Sequence, residues 1–98
     1  MDTYFSLKRA GRESVLAVCD CGLLGRTLRG NGFSFHVNRR FYGGKRATVE
    51  EALSLIPNAT SVNLVGKHVV SEAIRRGYVH PEAVLTVNGV PHALIVRV

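Results

Sequence analysis

The sequence predicts an α+β fold: one domain with a mixed, mostly antiparallel sheet and two helices, in the order β-β-β-α-β-α-β-β. Three observations carry this. Short runs of apolar or alternating residues are separated by glycine, proline and asparagine turns. Two later segments carry helical spacing and helix caps. A terminal hairpin is marked by Asn88-Gly89. Residues 1–98 read as a single unit with no linker, repeat or low-complexity segment. A chain of this length buries roughly two-thirds of its unfolded surface, enough for one core.

The elements follow in order. Tyr4 to Lys8 and Ser14 to Cys19 read as strands joined by a turn at Ala10-Gly11-Arg12, with Val15 to Val18 as a continuous apolar run. Asp20 reads as the cap of a short turn through Leu23 and Leu24, closed by Gly25. Arg26 to Gly32 is a loop or ragged strand. Phe33-Ser34-Phe35-His36-Val37 alternates and predicts a half-buried strand with Phe33, Phe35 and Val37 on one face. Asn38 to Arg46 reads as a structured loop.

Thr48-Val49-Glu50-Glu51 is a capping-box pattern that starts a helix running to Ile56, where Pro57 stops it. Thr60 to Val65 is a strand and Gly66 to Arg76 a second helix. In that helix Val69, Val70, Ala73 and Ile74 face the core, and Glu72 and Arg76 are spaced for an ion pair. Val84 to Val87 and Val90 to Val98 form the last hairpin, with Pro91 at a strand start or an edge.

Charge is the strongest functional signal. Residues 21–49 contain no Asp or Glu but hold Arg26, Arg29, Arg39, Arg40, Lys45 and Arg46, whose six charges equal the formal net charge of +6. The same stretch carries six of the ten glycines and Phe33, Phe35, Phe41 and Tyr42. Such a segment on an otherwise neutral chain predicts contact with a polyanion. Arg39-Arg40-Phe41-Tyr42-Gly43-Gly44-Lys45-Arg46 is its densest part. The cations would neutralise phosphates, Phe41 or Tyr42 would stack a base, and Gly43 and Gly44 would admit an anion to the backbone. Alternatively Phe41 and Tyr42 plug the core beneath the loop.

Lys67, behind Gly66 at a strand-to-helix junction, adds a candidate phosphate contact. The junction is not a nucleotide-hydrolysis loop: there is no glycine five residues before Gly66, and His68 stands where Ser or Thr would hold magnesium. A second candidate is a small pocket of Gly66, Lys67, His68 and His92, floored by Gly43-Gly44. It lacks a recognisable nucleophile or carboxylate partner, so no catalytic residue is assigned. Cys19 and Cys21 make half a zinc site, and none of His36, His68, His80 or His92 stands at metal-finger spacing; no metal or cofactor is expected. No apolar run reaches the roughly 18 residues of a membrane span. Met1 to Phe5 has no signal-peptide pattern, so a cytoplasmic location is expected.

Taken together, Leu23-Leu24-Gly25-Arg26, Phe41-Tyr42-Gly43-Gly44, Asn63-Leu64-Val65-Gly66-Lys67 and Gly89-Val90-Pro91-His92-Ala93 resemble, in order, a small archaeal family catalogued as domain of unknown function 424. The resemblance covers essentially the whole chain. It implies an archaeal cytoplasmic protein and no established activity, with RNA or translation as the expected association. The chain departs from the family's pattern at Cys21-Gly22, where acids are usual, and in its extra basic residues around the Tyr-Gly-Gly block. The resulting expectation is a non-catalytic RNA-binding or translation-associated accessory protein. The alternatives are a small enzyme built on Lys67 and His92, and an adaptor for an acidic protein.

Overall fold

The computed structural model describes residues 3–30 and 32–97, and its architecture is the expected α+β class. β1 (Thr3–Ala10) and β2 (Glu13–Asp20) form the expected antiparallel hairpin, with Leu7 opposite Leu16 and Tyr4 opposite Cys19. After a 3-10 turn at Cys21–Leu23 come β3 (Thr27–Arg29) and β4 (Ser34–His36), which pair as a small separate sheet. Then follow α1 (Arg39–Tyr42), β5 (Lys45–Ala47), α2 (Val49–Leu53), β6 (Ser61–Val65), α3 (Lys67–Arg75), β7 (Leu85–Val87) and β8 (Val90–Val96). The main sheet has the order β5-β1-β2-β6-β8-β7. Only the central pair, β2 and β6, is parallel.

Period-two alternation divides the strands between two cores. Leu16, Val18, Val62, Leu64 and Ala93 point to the face covered by α2 and α3, where they meet Leu53, Ile56, Val69, Val70 and Ala73. Ala17, Cys19 and Val65 point to the other face and meet Leu23, Leu28, Val37, Tyr42 and Val87. Residues 21–44 cover that second face only in part, leaving Leu94 and Val96 exposed.

The helix caps follow the sequence reading. Thr48 Oγ1 accepts from the Glu51 amide at 3.1 Å, and Glu51 Oε1 accepts from the Thr48 amide at 3.2 Å, completing the capping box. Arg76 donates to Glu72 at 3.3 Å, and Arg75 shares that carboxylate at 2.8 Å. Hydrogen bonding, first from Arg75, lowers the Glu72 pKa to about 2.

Four features differ from expectation. The stretch Asn38 to Arg46 is regular: it contains α1 and most of β5. The Asn38 side chain accepts from the amides of Arg40 (2.8 Å) and Phe41 (3.1 Å), so one turn of helix forms with too few residues to show a period. α2 ends at Leu53 rather than running to Ile56, and Pro57 lies inside a separate 3-10 turn, Ile56–Asn58, whereas the ragged strand expected after Arg26 is β3, paired with β4. Phe33 leaves the buried set, being 55% exposed and outside β4, while Val37 is fully buried.

The fourth is Asp20. It makes no side-chain cap on the turn after β2. Its carboxylate instead accepts from the His68 and Val69 amides, both at 3.0 Å, and so caps α3 across 48 positions of sequence. The reason is the parallel register. Cys19 lies beside Val65, so Asp20 and Gly66 emerge together at the strand ends. Gly66 adopts φ +120°, and a Cβ there would overlap the Asp20 side chain. Pro91 fits the same junction, at the start of interior strand β8. Its carbonyl accepts from the Gly66 amide at 2.9 Å, and the Gly66 carbonyl accepts from Val70 at 3.0 Å as α3 begins. The missing proline N–H leaves that carbonyl with a partner.

Candidate nucleic-acid interface

The acid-free stretch crosses the second face of the sheet from side to side. β5, with Lys45 and Arg46, is at one edge beside β1. Next to it α1, carrying Arg39 and Arg40, places Tyr42 in a core shared with Ala17 and Cys19 of β2. At the far side β3 and β4 lie over β8 and β7: Phe35 stacks on His92 with centroids 4.8 Å apart, and Leu28 packs in the core with Val87. Five gaps between six strands make this traverse about 24 Å long.

Arg26, Arg29, Arg39, Arg40, Lys45, Arg46 and Lys67 are all exposed. Among the described residues, ion pairs join Arg75 and Arg76 to Glu72 and Glu50, and none of these seven cations has a carboxylate partner. Several are positioned by other means. The Arg39 guanidinium lies against Gly25, where an added Cβ would come within 2.7 Å of its Nε. Arg46 sits over the Tyr4 ring at 5.6 Å. Lys8 on β1, which the charge pattern overlooked because it lies outside the acid-free stretch, donates to the Arg40 carbonyl at 2.6 Å.

The aromatic residues are distributed differently from expectation. Tyr42 is 2% exposed and burial raises its pKa; Phe41 is half-buried and meets it edge-to-face at 5.0 Å. The ring pair therefore plugs the core, the alternative reading above. α1 turns Tyr42 toward the sheet, so its ring has no free face for a base. Gly43 and Gly44 serve close packing within the chain: an added Cβ would meet the Arg39 carbonyl at 2.7 Å or the Phe5 carbonyl at 2.6 Å.

The second candidate set is dispersed. Lys67 shares an open cavity of about 270 Å³ with Asp20, Gly22, Leu23, Arg26 and Val90. The amides at the start of α3 are already taken by Asp20, so an anion reaching Lys67 would meet a carboxylate there rather than a vacant helix end. His68 is exposed on α3. His92 lies on the opposite face, its Nε2 buried without a hydrogen bond and its pKa lowered by desolvation. Gly43 and Gly44 lie near β1, at the other side of the sheet from His92. These residues do not close around one pocket. Burial pushes the Cys19 thiol up to about 12, which keeps it protonated and unreactive at neutral pH.

The model for the family described as "Protein of unknown function (DUF424)" matches residues 8–98. The chain belongs to that family. No curated protein matches it. Among solved structures, it is similar to a crystal structure of an uncharacterized conserved protein from Methanopyrus kandleri. The two share 26% identity and a TM-score of 0.82, over 97% of this chain and 90% of that one. This DUF424 protein thus has a fold met before, and neither comparison carries an activity. No helix among the described residues is long and apolar enough to cross a membrane.

Proposed function

We propose that this DUF424 protein is a non-catalytic, cytoplasmic RNA-binding protein, with archaeal origin and a translation-associated role as the finer reading. The observation that supports it is the run of exposed cations on residues 26–46, none with a carboxylate partner among the described residues; at the β5 edge Arg46, opposite Tyr4, lies on the second face, while Lys45, opposite Phe5, turns to the helical side. Leaving like charges unpaired along a surface costs self-repulsion, and a polyanion relieves it. Arg dominates the band, five to one over Lys, and its planar fork suits phosphate oxygens.

The test is RNA binding across a salt series. Six phosphate contacts predict a log–log slope of about −4 on single strands, from roughly 0.7 per contact. The variant carrying Arg39→Glu, Arg40→Glu, Lys45→Glu and Arg46→Glu is expected to lose retention while melting as the wild type does, since all four side chains are exposed. Unchanged retention would overturn the reading. Capture of one acidic protein that survives nuclease treatment would replace RNA with a protein partner.

A further inference from the structure

We propose that Phe33 beside β4 and the β7–β8 turn form a pocket for one unpaired nucleobase, stacked on Phe33 and held at its edge by Asn88, with Arg29 on the adjoining phosphate. The inference rests on the RNA reading and goes further. It names the part of the ligand that is recognised, and it assigns a residue that phosphate binding alone does not need.

Phe33 is the starting point. Of the four phenylalanines, Phe5, Phe35 and Phe41 are partly buried and pack against the two cores. Phe33 is 55% exposed. Its place is nevertheless defined. The Gly30 amide donates to the Phe33 carbonyl at 2.9 Å, and Arg29 is paired with Ser34 across the hairpin. The ring's Cζ lies 3.5 Å from where a Cβ on Gly30 would stand, and the Val87 side chain 3.4 Å from the same point. An aromatic ring held by its own hairpin with much of its surface in water is a stacking platform without its partner.

The surroundings supply the remaining chemistry. Arg29, Gly30, Phe33, Thr86 and Asn88 line an open cavity of about 320 Å³. A second of about 320 Å³ adjoins it, lined by Arg29, Gly30, Gly32, Phe33 and Ser34. Each is at the lower end of the size range for small-ligand sites. Asn88 stands in the turn at φ +50°, exposed, and offers an amide donor and an acceptor. Donor and acceptor together match a base edge, whereas a phosphate would need donors alone. A base inside a duplex has its faces stacked and its pairing edge occupied, so it cannot enter; the pocket therefore selects single strands.

The experiment measures the affinity of wild-type protein, Phe33→Leu and Phe33→Tyr for a short single-stranded oligoadenylate and for an RNA duplex of equal length. Phe33→Leu is expected to weaken single-strand binding by about 5- to 150-fold. Its salt slope should stay unchanged, because no phosphate contact is lost. Phe33→Tyr should restore the affinity, and duplex binding should not respond to either change. Thermal melting of both variants should match the wild type, since Phe33 is exposed. Wild-type binding of the single strand that Phe33→Leu leaves intact would overturn the pocket while sparing the RNA reading. Failure of the wild type to bind either RNA at low salt would overturn both.

Discussion

The two faces of the main sheet are built on opposite plans. One meets α2 and α3 through aliphatic side chains such as Leu16, Leu53, Ile56, Leu64 and Val69, all fully buried. The other meets short elements: a 3-10 turn, two three-residue strands and a single turn of helix. Its core is smaller and partly aromatic, and its outer surface carries most of the cations. Elements this short cannot hold themselves by propensity and depend on the sheet beneath. Their value is in what they display. The helical face makes a stable support, and the other face spreads charge and one open ring across it.

The sharpest way to break this comparison is to cut each core equally. Leu16→Ala empties a fully buried site between β2 and the helices, and should cost about 2–5 kcal/mol in chemical denaturation. Leu28→Ala, beneath β3, should cost less, because a three-residue strand can settle into the gap. Equal losses would mean that the second face is as much a part of the folding core as the first. The next largest effect is expected at the junction of the faces. Asp20→Ala frees the His68 and Val69 amides at the start of α3 and should cost about 1 kcal/mol, up to about 2. Amide exchange should quicken in the first turn of α3, although Asp20 belongs to β2. No change there would mean that the contact adds nothing beyond what water supplies.

The helical face was legible in the sequence for a physical reason. α3 is long enough to show a period, and α2, only Val49–Leu53, is announced by its capping box of Thr48 with Glu51. The second face was legible in charge but not in form. Acid-free composition marks Arg26 to Arg46 without any knowledge of where they lie. Alternation, by contrast, misplaced Phe33, because β4 begins only at Ser34 and leaves Phe33 outside the strand. No local pattern separates the plugging Tyr42 from the open Phe33; a strand–turn–helix path over the sheet decides it. Asp20 was equally out of reach, since its partners become neighbours only when β2 and β6 lie parallel. The glycines have the same lesson. Gly43 and Gly44 read as an anion cradle but are filled by the chain's own carbonyls.

The smallest expected effect tests how the β3–β4 hairpin is held down. His92 on β8 stacks on Phe35 of β4, and its Nε2 is buried without a partner. Neutral imidazole tolerates this; the protonated ring would carry a charge into the same apolar contact. Desolvation accordingly lowers the His92 pKa below its ordinary 6.5. The unfolded chain then takes up a proton before the folded one does as pH falls through 6.5. Stability is therefore full above that pH and declines below it, toward the folded-state value. His92→Phe keeps a flat ring against Phe35 and removes the titration. If another histidine dominates, the difference in melting temperature between wild type and His92→Phe should stay constant with pH. The expected result is that the variant gains on the wild type between about pH 7 and 5. Amide exchange in β3 and β4 should rise over the same interval in the wild type alone, because the proton loosens the hairpin from the sheet while α2 and α3 stay packed on the other side.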